Sequence, residues 1–213
     1  MVVIVIEGVD AAGKSEVTRR INEKISDTKI LKSSIRDEMM PAVKEVLNKN
    51  IDSSVESRFV YFLMLNQMVD NEIKSDPNHY YVKDRSIYST KAYHTAYNKY
   101  YNNGTGLNRI EMLYNAALIS AVIPDFAVFL YVDEEERLRR LRRRDSSKNS
   151  LTDFETDVMR LVEEEFKKIA KTLIAEGKVK VLEIETTNLT KEQVAEIVIN
   201  AASSYTPQIK MYK

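Results

Sequence analysis

The stretch Val2-Val3-Ile4-Val5-Ile6-Glu7-Gly8-Val9-Asp10-Ala11-Ala12-Gly13-Lys14-Ser15 stands at the start of the chain and decides its fold. Five β-branched residues in a row suit a strand buried on both faces, and a glycine ends the run. Beyond Ser15, residues Val17, Ile21 and Ile25 share one face at helical spacing. Between strand and helix lies the spacing GxxxxGK[ST]. In such a loop consecutive backbone N–H groups curl around phosphate oxygens, the lysine adds a cation, and the Ser15 hydroxyl suits Mg2+. The helix that follows aims its positive dipole end at the same place. Gly8, Asp10, Ala11, Ala12, Gly13, Lys14, Ser15 and Glu16 are therefore the expected nucleotide-binding residues. The plainer reading is a tight glycine turn with no ligand.

Outward from this loop, short apolar strands alternate with longer amphipathic segments, which is the signature of an α/β fold. Lys29 to Lys32, His79 to Lys83, Phe126 to Val132 and Val179 to Ile184 read as strands, and Phe126 to Val132 is apolar enough for the middle of a parallel sheet. Helices are expected around Arg36 to Lys49, Ser53 to Ile73 and Lys191 to Ala202. The length of 213 residues, 44% of them hydrophobic, fits a single domain over residues 1–213.

Composition removes several function classes. Thirty-two basic residues balance thirty-two acidic ones, so no global field favours nucleic acid or an anionic membrane. Cysteine is absent, which excludes disulfides, thiolate metal sites and cysteine nucleophiles. The two histidines, His79 and His94, have no metal-ligand spacing. No basic leader precedes the first apolar run, which is far too short to span a membrane, so the expectation is a cytoplasmic enzyme.

Two further places can carry chemistry. Asp84, at the end of the third strand, would lie on the edge of the sheet where the phosphate loop opens, and there it can hold a Mg2+ shell. Arg85 offers a planar fork for a phosphate, although the two could also pair with each other as a structural salt bridge. Six arginines fall between Arg137 and Arg144, behind the acidic run Asp133 to Glu136. Acids at a helix start and bases at its end complement the macrodipole. The same helix would also deliver Arg142, Arg143 and Arg144 to the polar segment Asp145 to Ser150, a candidate mobile lid over about 142–155, and phosphoryl transfer needs cations there.

Taken in order, these pieces resemble the thymidylate kinase family of nucleoside monophosphate kinases. Its EGxD opening is matched by Glu7-Gly8-Val9-Asp10, its DRY/H-xx-S-xx-A-Y/F pattern by Asp84-Arg85-Ser86-Ile87-Tyr88-Ser89-Thr90-Lys91-Ala92-Tyr93, its PD by Pro124-Asp125, and its basic helix before the lid by Arg137 to Arg144. The resemblance implies a P-loop NTPase fold: a five-stranded parallel sheet with helices on both faces and a short lid. It implies ATP phosphates at Gly13, Lys14 and Ser15, Mg2+ at Ser15 and Asp84, and Asp10 at the acceptor's sugar hydroxyl. Arg85 would hold the acceptor phosphate, with Arg36 a further ligand. Ser89 would lie beside the nucleoside, and Tyr93 would exclude a 2′-hydroxyl. It also implies a homodimer whose ligands are small nucleotides, and dTMP as the acceptor.

The chain departs from the family pattern in three places. An REPG-like segment is replaced by Lys32-Ser33-Ser34-Ile35-Arg36. Asn66-Gln67 stands where the family has an arginine that reads the base, which puts Gln67 forward as the base reader. The lid's arginine is missing from Thr152-Asp153-Phe154-Glu155. Since Ala11 and Ala12 leave the loop without an arginine too, the missing charge is expected from Arg142, Arg143 or Arg144. The rival readings are a deoxynucleoside kinase, which would take a sugar hydroxyl as acceptor, and a nucleotide-switched binding protein.

Overall fold

Runs of β-branched and aromatic residues form five strands in the computed structural model, which describes residues 1–32, 55–144 and 153–205. They are β1 (Val2–Gly8), β2 (Thr28–Lys32), β3 (Tyr80–Asp84), β4 (Phe126–Tyr131) and β5 (Lys180–Glu185). Every pairing is parallel, in the order β2-β3-β1-β4-β5. Parallel neighbours need crossovers, and these are supplied by seven helices among the described residues. They are α1 (Lys14–Lys24), α2 (Val55–Ser75), α3 (Ile87–Asn102), α4 (Leu107–Leu118), α5 (Glu134–Arg144), α6 (Asp153–Glu176) and α7 (Lys191–Tyr205).

Strands β1 and β4 are buried at every position, as their unbroken apolar character requires, and helices cover both faces. α1 packs with α7, while α3 packs with α6 and is flanked by α2 and α4. The edge strand β5 instead exposes Lys180, Glu183 and Glu185, charges that discourage a further strand from pairing. At the opposite end of the sheet from the phosphate loop, Asp125 joins three strands. Its carboxylate accepts from Val3 N at 2.8 Å, its N–H donates to Val3 O at 2.9 Å, and its carbonyl accepts from Lys180 N at 3.1 Å.

Register places the carboxyl ends of the central strands side by side. Ile6 lies opposite Asp84, and Gly8 opposite Leu130. Ligands of parallel α/β sheets bind at this edge.

Helices α3 and α4 occupy a region that the sequence pattern leaves without elements. The buried residues of α3 are Ile87, Tyr88, Ser89, Thr90, Ala92, His94, Thr95, Ala96 and Asn98, so a single large aliphatic residue at its start, and no repeat of them, marks it. The helix expected around Arg36 to Lys49, Arg36 itself and the lid residues 145–152 lie outside the described residues.

Candidate functional site

The phosphate loop is built from backbone conformations that side chains resist. Gly8 sits at φ 144°, and a Cβ there would come within 2.4 Å of Leu130 O, so close pairing of β1 with β4 demands glycine. Ala11 takes φ 67°, a strained value for alanine, and Gly13 takes φ 102° as the N-cap of α1. No side chain caps that helix, so its first N–H groups remain available to an anion. Lys14 is buried, with Nζ donating to Val9 O at 2.7 Å. Burial and then the Arg85 cation bring its pKa down to about 7. Ser15 Oγ donates to Asp84 Oδ2 at 2.7 Å, which ties the loop to the end of β3.

Arg85 has an unusual backbone as well. At φ 74° it turns the chain out of β3, and its N–H donates to Ile6 O at 3.1 Å. Its guanidinium donates to Asp10 Oδ1 at 2.5 Å and lies 4.9 Å from the centre of the Tyr93 ring. Asp84 and Arg85 thus take separate partners, Ser15 and Asp10, and the pairing of Asp84 with Arg85 that sequence allowed does not form. Burial works against the Asp10 charge, but Arg85, Lys14 and Arg144 together hold its carboxyl below the ordinary value. The Tyr93 ring packs edge-on against Phe166 at 6.2 Å, and burial pushes its hydroxyl up to about 12, so it stays neutral.

Other candidates are placed differently. The Ser89 hydroxyl is buried and donates to Glu7, as does Ser86 Oγ at 2.5 Å. Gln67 does not join the cluster. Its amide donates to Asn71 Oδ1 at 3.0 Å, and its oxygen accepts from Ser120 Oγ at 2.6 Å. The adjacent Asn66, one helical step round, is the residue that points inward, and it donates to Thr90 Oγ1 at 2.9 Å.

On the opposite wall α5 supplies the cations. Arg139, Arg140, Arg143 and Arg144 line a cleft of about 1030 Å3 together with Asp10, Ala11, Ala12, Gly13, Lys14, Ser15, Glu16, Asp84 and Arg85. Arg142 is not in the lining, because it lies about 200° round the helix from Arg140. The expectation named Arg142 and omitted Arg140, yet Arg140 has the firmest hold on the loop. It donates to Ala11 O at 3.3 Å, to Thr186 Oγ1 at 3.2 Å and to Thr186 O at 2.7 Å. Glu136 orients it at 2.8 Å, and hydrogen bonds from Arg139 and Arg140 hold that carboxyl down to about 2. Helical spacing carried the signal, since Arg140 shares a face with Glu136 and Arg144. Thr186, also missed, sits at the end of β5 and donates to Tyr131 O at 2.8 Å.

The donor set at Ser15 and Asp84, one hydroxyl and one carboxylate, fits a small hard cation that keeps waters and phosphates as its other ligands. No cluster of three acidic or histidine side chains exists among the described residues, so a cage made wholly of protein groups is not formed there. Among the same residues no helix is long and apolar enough to cross a membrane.

A family model described as thymidylate kinase matches residues 6–197. Solved structures of similar fold include a thymidylate kinase from Candida albicans, with TM-score 0.74, 21% identity and coverage of 99% of this chain and 97% of that one. Another is a thymidylate kinase from Ehrlichia chaffeensis, with TM-score 0.62, 20% identity and coverage of 94% and 97%. A comparison with curated proteins finds no match.

Proposed function

The chain belongs to the thymidylate kinase family, and on that premise we propose that it transfers the γ-phosphoryl group of ATP to dTMP, giving dTDP and ADP. Membership makes it a nucleoside monophosphate kinase with ATP as donor. The finer reading rests on one observation: the phosphate loop and the Arg85–Asp10 pair face the same cleft from neighbouring strand ends.

In this reading a phosphate oxygen of the acceptor attacks the γ-phosphorus, and the bond to the bridging β,γ-oxygen breaks. Arg85 binds the acceptor phosphate, and Asp10 orients both that arginine and the sugar. Tyr93 limits the space beside the sugar. Lys14 and the free N–H groups of α1 hold the donor phosphates, and Arg143 and Arg144 bring positive charge to the side that the loop leaves without an arginine. Ser15 and Asp84 would hold Mg2+, which when bound offsets charge on the donor phosphates. Asn66 replaces Gln67 as the inward amide of α2. The Candida albicans enzyme is described as having broad substrate specificity, which makes the choice of base a matter for a panel.

The reading also includes a homodimer. It is supported by exposed apolar residues Val60, Met64 and Met68 on α2, Met112 on α4, and Ile119 and Ile123 beyond it.

An ADP-release assay with Mg-ATP and a panel of nucleosides and monophosphates tests the reaction. Stimulation by dTMP is expected, with turnover falling by about 100-fold or more in Lys14→Ala. Wild-type turnover in that variant would overturn the site. A preference for unphosphorylated nucleosides would make the protein a deoxynucleoside kinase, and ATP hydrolysis indifferent to acceptors would make it a nucleotide switch.

A further inference from the structure

Glu7 ends the apolar run of β1 as a carboxylate with no exposure to solvent. Burying such a group is costly unless it is hydrogen-bonded, and burial does push its pKa upward. Its two oxygens accept from two serines 79 and 82 residues away in sequence, Oε1 from Ser86 at 2.5 Å and Oε2 from Ser89. Both serines are buried and neither faces water. The Ser86 oxygen has a second task, since it caps α3 by accepting from Tyr88 N at 3.2 Å. One carboxylate therefore pins the residue after Arg85 and the first turn of α3 to the end of β1.

Immediately before these pins stands the strained residue. Arg85 holds φ 74°, a value that a residue with a side chain resists and that persists only where its surroundings enforce it. Two contacts with β1 do so: Arg85 N donates to Ile6 O from one side, and the Glu7 carboxylate grips Ser86 from the other. With the backbone fixed, the guanidinium is carried out of β3 over Tyr93 and onto Asp10. A relaxed backbone at Arg85 would rotate its side chain away from both. The donor half has its own anchors, the loop glycines and the Arg140 bonds to Ala11 and Thr186, and Glu7 reaches it only through the pull of its carboxylate on the Lys14 charge.

We propose that Glu7 is the positioning residue for the acceptor half of the site, holding Arg85 in its strained turn through Ser86 and Ser89 while the donor half keeps its own anchors. The proposal rests on the reading of Arg85 as the acceptor-phosphate ligand. Titration calorimetry with dTMP and, separately, with a non-hydrolysable Mg-ATP analogue tests it on wild type, Glu7→Gln and Ser86→Ala. Glu7→Gln keeps the shape of the side chain but loses one acceptor, so dTMP affinity should fall by about 10-fold while that of the ATP analogue, measured at pH 6 where Lys14 carries its proton, stays within about twofold. Ser86→Ala, which leaves the carboxylate in place, should show the same one-sided loss and carries the test if Glu7→Gln fails to fold. Equal weakening of both nucleotides, or of neither, overturns the role of Glu7 alone. A wild-type protein that binds the ATP analogue but no dTMP overturns the acceptor reading, and the role of Glu7 with it.

Discussion

At neutral pH the Lys14 ammonium stands near its midpoint, because burial and the nearby Arg85 both disfavour its charge and bring the pKa to about 7. Bound phosphates favour the charged form, so the nucleotide complex has the higher pKa. Below pH 6 the free protein already carries the proton, and binding takes up little. Above pH 7 the proton must be acquired on binding, so uptake approaches one and affinity falls by up to about tenfold per pH unit. Calorimetry with a Mg-ATP analogue at pH 8, in buffers of different ionisation enthalpy, should show that uptake in wild type and lose it in Lys14→Ala. A pH-independent affinity would mean that Lys14 remains charged without ligand. Spacing alone marked Lys14 and Ser15, because the loop is one continuous motif, and Asp84 was marked by its place at the end of a strand. It could not separate Asn66 from Gln67, which are adjacent in sequence but about 100° apart on α2. Nor could it reveal that Glu7 and Ser86 share a hydrogen bond across seventy-nine positions.

Helix α5 shows how far an element's orientation depends on what it packs against. Its basic end was visible in the sequence, but which arginines enter the cleft depends on rotation about the helix axis, and the buried Arg137 and Leu141 set that rotation. Arg140→Ala removes three hydrogen bonds between α5, the loop and the end of β5, and should raise the KM for ATP by about 10-fold or more. Arg142→Ala, on the outer face, should leave it within about twofold. Steady-state kinetics with varied ATP checks both, and indistinguishable variants would show that the loop does not depend on the base of α5. The strands β1 and β4 were legible because residues buried on both faces leave an unbroken apolar run. Helices α3 and α4 were not, since small and polar residues make up most of the inward face of α3.

For the molecule as a whole, the exposed methionines Met64 and Met68 on α2 and Ile119 beyond α4 flank the Gln67–Ser120 hydrogen bond in sequence, and the proposed dimer is tested there. Charged substitutions there, Met64→Lys with Met68→Lys, should shift sedimentation from dimer to monomer with little loss of thermal stability. A wild-type protein that sediments as a monomer at micromolar concentration would refute the dimer. The position of β1 has another consequence. It is the first strand in sequence yet the third in the sheet, and its partners begin at Tyr80 and Phe126. At about 5–20 residues per second, a ribosome needs roughly 6–25 s to get from Val2 to Phe126, and through that interval the most apolar strand lacks a neighbour on at least one side. Glu7 meets no serine until α3 has been made, and the loop cannot close against Leu130 until β4 is in place. The phosphate loop, though it comes early in the sequence, therefore takes shape only after β4 has been made, and its strand needs protection from other chains until then.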